Sequence, residues 1–210
     1  MIEARSLRNI KIGLGNSYYF NLEESYLDDN IKLIIACEVF KSELEQLKDQ
    51  IKVPILWVEH SLHNVPNKLR LELQKKIDEA EKQIAPGSTV LLMFGNCGGA
   101  LEGIGSKTLR LIYPEVHDCT PILLGSVEKY EKLQLERPGS FYFNHAWIES
   151  GNNPLGKHEY YVKRYGKELA LELSQEIYKN YTHFVLINNN CGDLPKAREY
   201  VKRACEKFNK

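Results

Sequence analysis

The stretch Ile31-Lys32-Leu33-Ile34-Ile35-Ala36-Cys37 decides the fold, because it is a short, mostly apolar run that ends on a thiol. Similar apolar runs recur at 53–58, 90–94, 109–113, 121–124 and 184–187. Continuous runs of this length, without alternation of polar and apolar residues, are typical of strands that are buried on both faces of a sheet. We therefore predict a strand at each of these positions.

Helical patterns separate the apolar runs, at 43–50, 66–84, 127–135, 159–181 and 195–208. The second pattern has Asn64 as a candidate cap and Pro66 in its first turn. Alternation of strand and helix predicts an α/β fold, with a mainly parallel, doubly wound sheet and helices on both faces. We expect residues 31–210 to form this domain, and residues 1–30 to form a small N-terminal hairpin extension around a Gly15-Asn16 turn.

Composition restricts the function classes. The chain has 210 residues, of which 43% are hydrophobic, which is enough for a sizeable core. Its formal charge is zero, from 28 Lys and Arg against 28 Asp and Glu, and no basic run is present, so we do not expect nucleic-acid binding. No apolar stretch reaches the roughly 20 residues that span a bilayer, and the N-terminus lacks the apolar core of a secretory signal. These features predict a cytoplasmic protein without a membrane partner.

The cysteines are the residues that point most clearly to a functional site. Four of the five, Cys37, Cys97, Cys119 and Cys191, each lie just past an apolar run. An odd number of cysteines in a chain of this size argues for reduced thiols rather than a disulfide framework. Ligands of open parallel sheets bind beyond the carboxyl ends of the strands, so we expect the thiols of distant segments to converge there.

The fifth cysteine, Cys205, has a different pattern. It falls in register with the apolar residues of the last predicted helix, Ala197, Val201, Ala204 and Phe208, so we expect it in the core. Cys191 lies between a strand and a helix and is a secondary site candidate, while Asp193 beside it is a natural helix cap.

Cys37 follows the first strand and precedes a helix, where a helix N-terminus lowers the pKa of a thiol. The alternative is a small residue buried under the turn. The segment Gly95-Asn96-Cys97-Gly98-Gly99 is the sharpest local feature, because its glycines let backbone amides approach a ligand. It could hold a metal thiolate, cradle an anion or form a structural turn, and it matches neither the P-loop nor the dinucleotide pattern.

Histidines accompany these thiols. His60 and His63 have a spacing of three residues that places both on one side of a helical turn, and His63 is the better candidate for a metal ligand or proton-transfer group. In His117-Asp118-Cys119 an extended backbone would direct the imidazole and the thiol to the same side. That pair suits a shared metal ion or a Cys/His nucleophile.

Other segments remain secondary. Residues 137–157, around a candidate strand at 140–143, predict a long loop or lid that carries His145 and Trp147. No C-x-x-C spacing occurs, which argues against a thioredoxin-type site or a zinc ribbon, and the Ser-centred nucleophile elbow is absent. Tyr residues at 160, 161, 165 and 178, on one predicted helix, suggest an apolar surface for a partner, including a second copy of the chain.

The motifs Ala36-Cys37-Glu38-Val39, Leu62-His63-Asn64, Gly95 to Gly98 and His117-Asp118-Cys119 together resemble an uncharacterised family of archaeal and bacterial proteins. Members of that family are often encoded near corrinoid-dependent methyltransferases. The resemblance extends over about 31–187 and carries over to Cys37, His63, Cys97, His117 and Cys119. Residues 1–30 and the Asn144-His145-Ala146 segment depart from it.

These residues give a leading hypothesis. Cys37, Cys97 and Cys119, with His117 or His63, bind a metal ion, most simply zinc, beside Gly95 and Gly98, which would contact a cofactor or substrate. The ion would activate a substrate thiol, and the resemblance implies that this serves corrinoid-linked methyl transfer, with a small-molecule substrate or a corrinoid protein as partner.

Three alternatives stay open. The first is an iron–sulfur or redox-metal accessory protein of a methyltransferase system. The second is a metal-free enzyme with a cysteine nucleophile at 97 or 119 and His117 or His63 as its base. The third is a binding module for a corrinoid or a partner protein, in which the thiols have no role.

Overall fold

The computed structural model describes the backbone of residues 12–14 and 18–20 and all of residues 31–210. The chain divides into two compact units, one that extends to Val127 and one that contains Glu128–Lys210. The first unit contains a six-stranded sheet and the second a two-stranded sheet. The predicted α/β class with a mainly parallel sheet is confirmed.

Six strands form the main sheet, in the spatial order β2-β1-β6-β5-β3-β4. They are β1 (Ile12–Leu14), β2 (Tyr18–Phe20), β3 (Ile31–Cys37), β4 (Ile55–Val58), β5 (Thr89–Met93) and β6 (Arg110–Pro114). β1 and β2 pair antiparallel, as the predicted hairpin requires, and β1 also pairs antiparallel with β6. The Gly15-Asn16 turn of that hairpin lies outside the described residues.

The strands β6, β5, β3 and β4 are parallel to one another, and their order contains a reversal. From β3 the chain moves outward to β4, and it then returns to the other side of β3 to form β5 and, beyond it, β6. The carboxyl ends of β3 and β5 therefore lie side by side at the point where the winding changes direction. In doubly wound sheets this switch point is the usual position of the binding crevice.

Helices connect the strands of the first unit. They are α1 (Lys41–Gln46), α2 (Pro66–Glu81) and α3 (Thr120–Leu124), and 3-10 helices cover Glu38–Phe40 and His60–Asn64. In α2 the apolar side chains at 69, 73, 77 and 80 are buried, which is the spacing of a single helical face. Pro66 is in the first turn as predicted, but the prediction of Asn64 as cap is wrong: Val65 is the N-cap, and the Asn64 amide donates to the Ser61 carbonyl.

The second unit is built around strands β7 (Ser140–Phe143) and β8 (His183–Leu186), which pair in parallel. Its helices are α4 (Val127–Glu136), α5 (His145–Glu149), α6 (Pro154–Tyr165), α7 (Lys167–Tyr178) and α8 (Leu194–Phe208). A core of Phe143, Ile148 and Ala197 lies beside a second cluster that contains Leu155, Tyr178, Ala204 and Phe208. β8 thus pairs with β7 instead of joining the main sheet.

Three predicted elements are wrong. The 121–124 run is helix α3 and not a strand. Residues 137–157 are not a long loop, because the side chains of Asn144 and Asn153 accept hydrogen bonds from the backbone N–H groups of Trp147 and Gly156 and so begin α5 and α6. The helix predicted at 159–181 is two helices, separated at Gly166, where φ is 82°.

The break at Gly166 also shows that the prediction of four tyrosines on one helix is wrong. Tyr160 and Tyr165 on α6 are exposed, whereas Tyr178 on α7 is 4% exposed and belongs to the core. In the part of the chain that the structure describes, no helix has the length and apolar character needed to cross a membrane.

Candidate functional site

Three predicted site cysteines meet at the switch point of the main sheet. Cys37 is the last residue of β3, Cys97 lies in the segment that follows β5, and Cys119 lies between β6 and α3. The sulfur atoms of Cys97 and Cys119 are 3.9 Å apart. The Cys37 thiol also interacts with that of Cys119. The predicted convergence of thiols from distant segments is therefore present in the structure.

Backbone contacts hold the Cys97 and Cys119 segments against each other. The N–H groups of Asn96 and Cys97 donate to the carbonyls of Val116 and His117 at 2.8 and 2.9 Å. The Gly95 N–H points to the Cys119 sulfur at 3.4 Å. These bonds extend the pairing of β5 and β6 past the ends of both strands.

Gly95 is required by this close approach. A Cβ atom at position 95 would lie 2.1 Å from the carbonyl carbon of Asp118 and 2.3 Å from its oxygen, so no other residue fits without movement of the backbone. The signal that marked Gly95 in the sequence is therefore explained by packing against Asp118 and by the N–H bond to the thiol.

Cys97 has an uncommon backbone conformation. Its φ is 42°, and it precedes Gly98 and Gly99, which also have positive φ values. A left-handed conformation is unfavourable for a residue with a side chain and persists only where the surroundings fix it. Here the fixed geometry directs the thiol toward Cys119. Gly98 is exposed, and its Cα faces the Pro66 ring at the start of α2.

The pKa values of the two central thiols are raised, which favours their neutral forms. The hydrogen bond with Cys119, followed by burial and the nearby carboxylate of Asp118, raises the pKa of Cys97 far above its ordinary value. The hydrogen bond with Cys37, followed by burial, raises the pKa of Cys119. The Gly95 N–H opposes this at Cys119, because a donor to sulfur favours the thiolate.

His117 is close to Cys119 in sequence, but its side chain is exposed. Residues 117–119 form a bend and Cys119 has helical backbone angles, so the extended backbone that we expected is not present. The His117 side chain is 86% exposed, and its Nδ1 lies 3.6 Å from a carboxylate oxygen of Asp118. The other oxygen of Asp118 accepts the N–H of Thr120, the first residue of α3, at 2.6 Å.

The other histidine pair lies in the 3-10 helix His60–Asn64, as the helical spacing predicted. Their ring centroids are 6.1 Å apart. His60 is buried, and the Nδ1 of half-buried His63 contacts the His60 carbonyl oxygen. Among the described residues, neither imidazole belongs to a group that could hold a metal ion.

The remaining candidates belong to the second unit. Cys191 lies half-buried in the loop after β8, and Asp193 caps α8 as predicted, by accepting the Lys196 N–H at 3.0 Å. His145 is buried at the start of α5, and its Nε2 accepts the Asp193 N–H at 2.7 Å. Cys205 is half-buried beside the fully buried Ala204.

Sequence reasoning missed Arg70. Its Nη2 donates to the Gly99 carbonyl at 2.7 Å, so it contacts the Cys97 segment directly. No local pattern marked it, because α2 carries several basic residues and only the fold shows which of them faces this segment.

The side chains as they stand do not form a complete metal site. Among residues 31–210, no group of three or more His, Cys, Asp or Glu side chains is arranged so that it could hold a metal ion. The Cys97 and Cys119 sulfurs are 3.9 Å apart, and no third ligand among the described residues is in position beside them.

Comparison with known proteins identifies a family. A family model described as a protein of unknown function, DUF1638, matches residues 57–210. The chain belongs to this family. The DUF1638 match includes His60, His63, Cys97, His117 and Cys119 and begins after Cys37, so it starts and ends later than the resemblance at 31–187. The comparisons with curated proteins and with solved structures gave no match.

Proposed function

We propose that this DUF1638 protein binds a thiophilic metal ion, zinc in the simplest case, through Cys97, Cys119 and Cys37. The observation that carries the proposal is the 3.9 Å separation of the Cys97 and Cys119 sulfurs. A tetrahedral zinc ion with zinc–sulfur bonds of about 2.3 Å keeps two thiolate sulfurs about 3.8 Å apart. The two sulfurs therefore fit the ion without backbone movement.

Cys37 is the best third ligand. It ends the strand next to β5, it is buried, and its thiol already interacts with that of Cys119. In the proposed site the Cys37 sulfur binds the metal ion instead of interacting with Cys119. His117 and His63 are the candidates for a fourth position, because each lies at the rim of the same strand ends.

The protonation state of the cluster favours a metal site over a cysteine nucleophile. Both central thiols have raised pKa values, so the metal-free protein holds little thiolate at neutral pH. A nucleophile needs the thiolate in advance, whereas a metal ion displaces the thiol protons when it binds. The Gly95 N–H is already placed to stabilise the sulfur charge on Cys119.

A bound ion of this kind would supply Lewis acidity toward a small thiol substrate, which is the chemistry that the methyl-transfer hypothesis requires. In that hypothesis the chain's own residues hold the ion and shield it, with Cys37 buried beneath it and Gly98 exposed at the open side.

The direct test is the metal content of full-length protein purified without oxygen. Zinc, iron, nickel and cobalt are measured per chain in the wild type, Cys97→Ala, Cys119→Ala and Cys205→Ala. Cys205→Ala is the matched control, because it removes a thiol outside the cluster. Acid-labile sulfide is measured in parallel, because iron found together with sulfide would identify the bound group as an iron–sulfur cluster rather than a zinc ion.

We expect about one zinc per chain in the wild type and in Cys205→Ala, and loss of zinc in both cluster variants. A wild type that takes up none of the four metals, even after incubation with zinc, would overturn the proposal. Metal that persists in Cys97→Ala and Cys119→Ala would place the ion elsewhere and would equally overturn it.

A further inference from the structure

The segment that carries Cys97 has no regular structure of its own. Residues 94–109 contain neither helix nor strand, which is long for a connection inside a compact unit. Such a segment holds a ligand in a fixed position only if neighbouring elements fix its backbone. The structure shows which element does so.

One face of α2 binds this backbone at three points. Arg70 donates to the Gly99 carbonyl at 2.7 Å. The Gln74 amide pairs with Gly105 in both directions, as donor at 2.8 Å and as acceptor at 3.0 Å. Glu81 accepts the N–H groups of Lys107 and Thr108 at 2.5 and 3.0 Å. The spacings of four and eleven residues place these side chains on the same side of the helix.

We propose that Arg70, Gln74 and Glu81 are positioning residues for the thiol cluster, and that Arg70 sets the affinity of Cys97 for the metal ion. This inference rests on the proposed metal site. Arg70 acts at Gly99, two residues after Cys97, where the backbone must hold φ values of 42°, 74° and 86° in succession. Gln74 and Glu81 fix the remainder of the segment up to the start of β6.

The environment of Arg70 allows its effect on the position of Cys97 to be distinguished from its effect on folding stability. Its Nε is buried and has no hydrogen-bond partner, so the guanidinium pays a desolvation cost while only part of it is bonded. Replacement by an unbranched apolar side chain removes that cost along with the bond to Gly99. We therefore expect a substitution at 70 to change metal affinity more than it changes folding stability.

The test compares Arg70→Met with Lys68→Met, an exposed basic position on the same helix. The metal-free, full-length proteins are titrated with zinc against a chromophoric chelator, and urea unfolding is measured without metal. We expect Arg70→Met to bind zinc about 10- to 100-fold more weakly than the wild type, as is usual when a residue that supports a metal ligand is lost. Lys68→Met should bind as the wild type does, and Arg70→Lys should recover part of the loss.

Alkylation of Cys97 in the metal-free proteins, read by peptide mass spectrometry, gives a measure that does not need metal. We expect the ratio of Cys97 to Cys119 modification to rise in Arg70→Met and not in Lys68→Met. Equal zinc affinities in the two variants, or an unchanged alkylation ratio, would overturn the inference. If the wild type binds no zinc, the metal proposal fails and the alkylation ratio alone decides the positioning role. If Arg70→Met does not fold, Gln74→Leu is measured in the same way, with the same outcomes.

Discussion

The sulfur atoms of Cys97 and Cys119 lie 3.9 Å apart across 22 positions of sequence. Their contact depends on backbone bonds from Asn96 and Cys97 to the 116–117 carbonyls and on the absence of a side chain at Gly95. The contact therefore depends both on the protonation of the two thiols and on the backbone packing at Gly95. Thiol reactivity measures the first, and the stability of a Gly95 variant measures the second.

The first prediction concerns thiol reactivity. In metal-free protein that carries Cys191→Ser and Cys205→Ser, we expect iodoacetamide to react at pH 7 at least about tenfold more slowly with Cys97 and Cys119 than with the same thiols in urea. The reason is that a pKa raised by one unit or more removes about nine-tenths of the thiolate. The rate in the folded protein should keep rising about tenfold per pH unit beyond about pH 8.5, the ordinary thiol pKa, where the rate of the unfolded protein levels off. Rapid modification of a single cluster cysteine near pH 7 would instead support the nucleophile hypothesis.

The second prediction concerns Gly95. We expect Gly95→Ala to lower the free energy of unfolding by about 1–3 kcal/mol, because the new methyl group overlaps the Asp118 backbone. Gly105→Ala is the control, since a Cβ there meets nothing within 4 Å. It should change stability by less than about 0.5 kcal/mol. Equal urea midpoints for the two variants would contradict the close approach of Gly95 to the Asp118 backbone.

The third prediction concerns Glu81. Hydrogen bonds from the Ser106 side chain and from the Thr108 and Lys107 backbone lower the pKa of the Glu81 carboxyl. A carboxyl with a lowered pKa stabilises the folded state above its ordinary pKa, about 4.3, and this contribution is lost as the pH falls through the folded value. The wild type should therefore lose more stability than Glu81→Gln between pH 6 and pH 3.

Glu79→Gln, at an exposed position on the same helix, is the control for this comparison. It should retain the wild-type slope of stability against pH. If Glu81→Gln has the same slope as the wild type, the hydrogen bonds from residues 106–108 to the carboxylate do not contribute to the pH dependence of stability.

The fourth prediction concerns His158 in the second unit. Its Nδ1 lies 3.0 Å from the Ser174 hydroxyl, and burial, followed by the Lys207 charge, lowers the pKa of the imidazole. The folded state therefore disfavours protonation of His158, and stability falls as the pH drops below the unfolded value of about 6.5. Urea unfolding at pH 7.5 and 5.5 should show a smaller loss for His158→Gln than for the wild type. Exposed His183→Gln should behave as the wild type, and a His158→Gln loss as large as the wild-type loss would contradict the assignment.

Much of the site was predictable because it follows strand ends. Cys37, Cys97 and Cys119 each come just after a buried run, and parallel strands bring their carboxyl ends to one edge, so convergence followed from the pattern alone. The direction of His117 was not predictable, because it depends on a bend stabilised by the Asp118 carboxylate and the Thr120 N–H. Arg70 carried no signal, since its partner is a backbone carbonyl 29 positions away.

The sequence by itself determined the α/β class, the strands at five of the six apolar runs and the thiols that follow strand ends, because apolar run length and period are local properties. It also placed Asp193 at the start of α8. Only the tertiary structure decided that β8 pairs with β7 and that Gly95 lies against Asp118. These depend on which distant backbone groups meet, since hydrogen bonds and close packing are satisfied between segments that no local pattern connects.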